Sequence, residues 1–328
     1  MPHSIVFLDR GTIPADVPVR RPAFDHAWTD FGRTRPDEVV ARCRDAEIVI
    51  TNKVPLTGAM IEALPKLRMI AVAATGTDII DLDAAGARRI VVSNVRGYAT
   101  TTVPEHAFAL MLALRRSLPA YSRSVAAGAW QKAGQFCYFD HPIHDMAGST
   151  LAIIGAGSIG GALARLAQGF SMNVLRVERK GAKTTRPGYA EFDAALAAAD
   201  IVSLHCPLTD ATRGLIGARE FALMRRRPIL VNTARGGLVD EAALTAALET
   251  GVLSGAAFDV ASPEPPPTDH PLMKLAARAD FILTPHIAWA SREAVGRLVA
   301  QLIENLEAFV AGNPRNVVAG SARNAGSR

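Results

Sequence analysis

Four short segments carry residue types whose spacing could do chemistry. Gly155-Ala156-Gly157-Ser158-Ile159-Gly160 follows the apolar run 151–154 and opens a helical stretch. In such a turn the first glycine permits the tight bend, the second lets the backbone approach a pyrophosphate, and the third allows close helix–strand packing. The helix N-terminus adds free N–H groups and the positive end of a dipole. Gly155, Gly157, Ser158, Ile159 and Gly160 are therefore predicted to hold a dinucleotide. Glu178 ends the next strand about twenty residues on, where a carboxylate binds ribose hydroxyls, and this predicts NAD. The adjoining Arg179 and Lys180 leave NADP use open, because either could reach a 2′-phosphate. The other three segments are Asn232-Thr233-Ala234-Arg235-Gly236-Gly237, Ser262-Pro263-Glu264-Pro265-Pro266 and Thr284-Pro285-His286. Singly, each polar residue has an ordinary explanation: a capping arginine, a solvated loop carboxylate, a structural histidine. Placed together at the ends of successive strands of a nucleotide-binding sheet, Arg235, Glu264 and His286 supply a cation, a carboxylate and an imidazole. Those are the parts that carbonyl reduction beside a nicotinamide needs.

The elements that must position these residues are legible as rhythm. Short runs rich in valine and isoleucine (4–9, 47–52, 67–75, 90–94) alternate with helical stretches at 37–44, 57–64 and 83–89. After a strong helix at 101–116 the alternation restarts, with strands predicted at 150–154, 174–178, 201–206, 229–233, 255–260 and 281–284 and helices at 159–170 and 240–250. Strands apolar on both faces and separated by helices predict parallel sheets covered on both sides. The last strong helix is predicted at 291–311, and 319–328 is read as a polar tail. Residues 118–148 lack clear period yet carry Trp130, Phe136, Tyr138 and Phe139. An irregular segment with so many aromatics is expected to lie against something, a second copy of the chain being one candidate, or else to form an aromatic-anchored surface loop.

At 328 residues the chain is about twice a usual domain, and with 49% hydrophobic and 20% charged residues it can bury a core, which excludes a disordered or fibrous protein. The net charge of +5 is scattered, and the longest basic run, Arg225-Arg226-Arg227, has no aromatic neighbours, so no nucleic-acid partner is predicted. Cys43, Cys137 and Cys206 have no metal-like spacing and read as free thiols. No metal site is predicted; His141-Pro142-Ile143-His144-Asp145 holds ligand-type residues in an irregular context. No run is long enough for a membrane span, and Met1-Pro2-His3-Ser4 leads straight into a strand, so a cytoplasmic protein is expected.

Taken in order, the glycine turn, the Ala-Arg-Gly-Gly segment and the Pro-Glu-Pro and Thr-Pro-His segments resemble the D-isomer-specific 2-hydroxyacid dehydrogenase family over essentially the whole chain. The segments Asn94–Thr100 and Thr51-Asn52-Lys53 are similar to its glycerate dehydrogenase (hydroxypyruvate reductase) branch, whereas Ile79 and Pro104 depart from the usual residues without removing a catalytic group. The resemblance implies two doubly wound domains, a Rossmann nucleotide domain (100–290) inserted into a flavodoxin-like substrate domain (1–99 plus 291–328), with the ligand cleft between them. It implies Arg235, Glu264 and His286 as the catalytic trio, with Glu264 orienting the imidazole. It implies Thr75 and Gly76 as backbone donors to a substrate carboxylate, alongside Arg235, with His286 at the carbonyl; Lys53, at the end of a strand, could reach the substrate's far end or stand as a solvated lysine. His205, Cys206, Pro207, Thr233, Ala234 and Asp259 would line the cofactor. The implied activity is reversible hydride transfer between a nicotinamide and C2 of a small 2-oxo acid such as hydroxypyruvate or glyoxylate, by a homodimer. The alternative is a nucleotide-sensing corepressor of the same fold, without significant turnover.

Overall fold

In the computed structural model, which describes residues 2–320, the alternating runs form two six-stranded sheets. The chain falls into two units, one comprising Met1–Ala99 with Ser291–Arg328 and the other Thr100–Ala290. The first begins with β1 (His3–Phe7), β2 (His26–Asp30), α1 (Val39–Cys43), β3 (Ile48–Thr51), α2 (Gly58–Glu62), β4 (Met69–Val72), α3 (Leu82–Ala87) and β5 (Val91–Ser93). The second opens with α4 (Thr102–Arg115), α5 (Leu118–Ala126) and α6 (Ala129–Ala133), and then enters its sheet at β6 (Thr150–Ile154). There follow α7 (Ser158–Gly169), β7 (Asn173–Val177), α8 (Phe192–Ala198), β8 (Ile201–Leu204), α9 (Ala218–Leu223) and β9 (Ile229–Asn232). The unit closes with α10 (Glu241–Glu249), β10 (Gly255–Phe258), α11 (Pro271–Leu275) and β11 (Phe281–Leu283). The first unit resumes with α12 (Arg292–Val310) and β12 (Val317–Ala319).

The first sheet runs β2-β1-β3-β4-β5-β12, parallel except for β12, in the flavodoxin-like order. Two of its strands escape a reading of apolar runs. In β2, His-Ala-Trp-Thr-Asp pairs with β1 alone at the sheet edge and is largely exposed, so it needs no apolar run. β12 includes Ala319, which corrects the tail predicted from that residue: Ala319 is paired with Val92 and Gly320 lies against the Ile90 carbonyl. Residues 321–328 of that tail lie outside the described residues.

The second sheet is wholly parallel, in the order β7-β6-β8-β9-β10-β11. A single parallel bridge between Val177 and Ala190 adds a vestigial strand outside β7, which gives the 3-2-1-4-5-6 order of dinucleotide-binding sheets through β10, with β11 as a seventh strand. Strand residues alternate between two cores, as the pleat requires. Leu151, Ile153 and Val231 pack with Ala107 and Met111 of α4 and Leu163 and Ala164 of α7. Ala152, Ile154, Leu204 and Phe258 face the opposite way, against Leu196 of α8, Phe221 of α9 and Leu244 of α10. Phe258 is fully buried, directly before Asp259, and its truncation to alanine would cost about 3–5 kcal/mol.

Residues 118–148 are more ordered than their sequence suggests. They contain α5 and α6, and Tyr121 stacks edge-on against Tyr138 and His141. The expectation that the other aromatics are covered fails within one chain: Phe136 is 92% exposed, Phe139 78% and Trp130 47%.

Candidate active site

Gly155, with φ +96°, turns the chain out of β6 so tightly that a Cβ there would lie 2.5 Å from the His205 carbonyl carbon. At Gly160, in the first turn of α7, a Cβ would meet the Gly155 oxygen at 2.3 Å. These two glycines serve the fold. Gly157 differs: it caps α7 with extended backbone, and no atom lies within 4 Å of a Cβ built there. The open space sits at the N-terminus of a twelve-residue helix, where unpaired N–H groups attract a phosphate. Thr233, on the loop after β9, has a buried hydroxyl with no partner among the described residues. The open cradle at Gly157 and the unpaired Thr233 Oγ1 fit a dinucleotide with its own donors and acceptors.

His205 and Cys206 pass beside this turn. The His205 ring sits 2.8 Å from Ser203 Oγ, and burial pushes its pKa down to about 4, so it is neutral at physiological pH. Burial pushes the Cys206 thiol up, away from the reactive thiolate. Pro207 is exposed on the same loop.

Glu178 directly follows β7 and is engaged on both oxygens. Arg186 forks onto it through Nε (2.7 Å) and Nη2 (2.8 Å), and the amides of Arg179 (2.8 Å) and Arg186 (3.2 Å) also donate. These donors, the Arg186 side chain first, hold the carboxyl down at about 2. Lys180, one of the two cations that left NADP use open, ion-pairs with buried Glu220 at 2.9 Å.

The three polar loops after β9, β10 and β11 belong to the second unit, and the structure joins two of them directly. His286 Nδ1 lies 2.6 Å from Glu264 Oε2, while Glu264 Oε1 accepts from the Ala261 amide at 3.0 Å. The carboxylate therefore fixes the ring orientation and the tautomer with hydrogen on Nδ1, leaving Nε2 for chemistry. Both side chains are partly exposed, as proton exchange requires. His286 has φ +53°, a left-handed conformation that its surroundings must hold. Asp259 does so: buried, it accepts from the amides of Ile287 (2.9 Å) and Ala288 (2.8 Å) and from Thr284 Oγ1 (2.5 Å). Thr284 Oγ1 also lies 3.2 Å from His106 Nε2.

Arg235 reaches its place through a second buried polar residue. Asn232, fully buried, donates from Nδ2 to the Arg235 carbonyl and accepts from the Ala234 amide, closing the turn over Thr233. Gly236 explains the close approach expected from the double glycine, since a Cβ there would lie 2.3 Å from the Ala261 carbonyl carbon. The Arg235 loop is thereby packed onto the loop that bears Glu264.

Lys53, Thr75 and Gly76 lie in the first unit, beyond β3 and β4. Thr75 Oγ1 donates to the Val95 carbonyl, and Asn94 Nδ2 donates to the Thr75 carbonyl. Buried Asp9 accepts from the amides of Asn52, Lys53 and Val54, which fixes the Lys53 turn; desolvation nonetheless pushes its carboxyl up. Asp9, Asn232 and Arg186 escaped sequence reasoning. Asn232 ends β9 and Asp9 follows β1 by two residues, places where a polar residue after an apolar run signals a task, whereas nothing distinguished Arg186 from neighbouring loop cations. Among the described residues no helix is long and apolar enough to cross a membrane.

The D-isomer specific 2-hydroxyacid dehydrogenase family, through its NAD binding domain, matches residues 108–288. The chain is 48% identical to a glycerate dehydrogenase of Methylorubrum extorquens, an alignment covering 97% of this chain and 99% of that protein. It is 35% identical to a hydroxypyruvate reductase of Blautia hydrogenotrophica, covering 87% and 88% of the two chains. A solved D-lactate dehydrogenase from Aquifex aeolicus, complexed with NAD and lactic acid, superposes with a TM-score of 0.81 at 26% identity over 98% of this chain and 100% of that one.

Proposed function

This chain belongs to the D-isomer-specific 2-hydroxyacid dehydrogenase family, and on that premise we propose that it reduces hydroxypyruvate or glyoxylate, giving D-glycerate or glycolate. The observation that carries the assignment of roles is the His286–Glu264 contact at 2.6 Å beside the loop of Arg235. The NAD-binding domain of the family is present, and NADH held there would supply hydride chemistry toward C2 of the substrate. Gly155, Gly157, Ser158, Ile159 and Gly160 would receive its pyrophosphate, Glu178 its ribose, and His205, Cys206, Pro207, Thr233, Ala234 and Asp259 would line the remainder. His286 Nε2 donates a proton to the carbonyl oxygen as charge develops there, and Glu264 holds the ring and balances the imidazolium. Arg235 polarises the carbonyl and clamps the carboxylate with a planar fork of donors that lysine does not offer. Thr75, Gly76 and Lys53, in the first unit, are assigned to substrate binding, the first two through their amides.

We assign the working form as a homodimer, formed through Trp130, Phe136, Phe139 and Ile143, whose large apolar side chains are exposed on the single chain. We place it in the cytoplasm, without a nucleic-acid partner. The test is a panel of 2-oxo acids with NADH, followed by chiral analysis of the product. Hydroxypyruvate or glyoxylate should be turned over fastest, and hydroxypyruvate should give the D-acid. An L-product, or NADH binding without turnover as a corepressor would show, contradicts the proposal.

A further inference from the structure

The carboxylate at the end of β7 is not a bare acceptor. Its oxygens take four N–H donors, and a carboxylate offers about four lone-pair positions. A ribose hydroxyl can bind Glu178 only by displacing one of them. The displaceable donor is the Arg186 side chain, which is 53% exposed, whereas the Glu178 side chain is 6% exposed. Its guanidinium is braced over the Tyr189 ring, 3.9 Å from the centroid. Two of its nitrogens face Glu178, which leaves N–H groups for another anion. Lys180 does not compete for that anion, because its ammonium is held by Glu220 and the Leu215 carbonyl.

We propose that Glu178 and Arg186 form a two-way 2′-site: Glu178 takes the 2′-hydroxyl of NAD(H), and Arg186 takes the 2′-phosphate of NADP(H), so that the chain binds both dinucleotides. A lone glutamate at this position repels the phosphate; paired with Arg186 its charge is cancelled, and a phosphate gains a fork of charged donors. The inference rests on the dinucleotide reading of the Gly155–Gly160 turn.

The test is equilibrium titration, by calorimetry and by ligand fluorescence, with adenosine 2′,5′-bisphosphate against 5′-AMP and with NADPH against NADH. The wild-type chain should bind NADPH and NADH within about tenfold of one another. Arg186→Ala should shift the bisphosphate-to-AMP affinity ratio toward AMP by about 10-fold or more, the loss expected for a charged hydrogen bond. Glu178→Gln should shift the ratio the other way. An Arg186→Ala ratio within about twofold of wild type overturns the two-way site while leaving the dinucleotide reading intact. Failure of the wild-type chain to bind either NADH or AMP overturns both.

Discussion

Replacing Gly157 by alanine adds one methyl group where the folded chain has nothing within 4 Å, and replacing Gly160 adds one where the Gly155 oxygen stands 2.3 Å away. The two variants separate what the fold needs from what the ligand needs. At Gly160 the methyl falls about 1 Å short of ordinary contact, and the obstacle is backbone, so overpacking costs about 1–3 kcal/mol. That exceeds the roughly 1 kcal/mol an alanine gains over glycine in a helix. At Gly157 the only cost to the free protein is a poorer N-cap, on the order of 1 kcal/mol or less. The pyrophosphate, however, loses its close approach to the helix N-terminus. Losing one charge-assisted N–H bond, about 1.5–3 kcal/mol, weakens NADH binding about 10- to 100-fold. Urea unfolding of the free proteins and titration with NADH measure the two effects separately. The reasoning is refuted if Gly157→Ala binds NADH like wild type, or if it loses as much stability as Gly160→Ala.

Asp259→Asn should lower stability by about 2 kcal/mol, because the buried amides of Ile287 and Ala288 keep only one carboxamide oxygen. It should also lower kcat more than it raises KM, since His286 is held through those amides; urea midpoints and steady-state kinetics check both. His205 is neutral in the fold, with its pKa pushed from 6.5 down to about 4, so the unfolded chain takes up its proton first as pH falls. Stability should therefore decline between about pH 6.5 and pH 4, by up to about 3 kcal/mol, and His205→Gln should flatten that part of the profile; identical profiles contradict the assignment. Phe136→Ser with Phe139→Ser should convert a dimer to a 34.8 kDa monomer by light scattering, with the unfolding midpoint of the monomer little changed.

What was legible in the sequence follows from where the physics is local. Strands β3, β4, β8, β9 and β10 are buried at every residue, so they read as short, mostly apolar runs. The turn at Gly155–Gly160 reads equally well, since close packing demands glycine at 155 and 160 and their spacing is local in the chain. β2 does not, because an edge strand with exposed Ala27, Thr29 and Asp30 carries no apolar pattern. In α5, Leu118 and Val125 face outward at 54% and 36% exposure, so its apolar residues trace no stripe toward the chain's own core. The site divides in the same way. His286, Glu264 and Arg235 stand in the loops that follow β11, β10 and β9, where the fold places ligands, and that position is what marks them as candidates in the sequence. The grip of Arg186 on Glu178 joins residues across an irregular loop, and only the folded chain reveals which cation is chosen.

Hydride transfer in His286→Gln, followed in a single turnover after mixing the NADH complex with hydroxypyruvate, tests the central claim most directly. Glutamine at this left-handed strand end keeps a polar group of similar reach, and NADH affinity is measured alongside to confirm that the nucleotide site is intact. Loss of the general acid should slow reduction by about 10²- to 10⁴-fold. Turnover close to wild type, with NADH still bound, would contradict the assignment of His286 as proton donor and the catalytic role of its contact with Glu264.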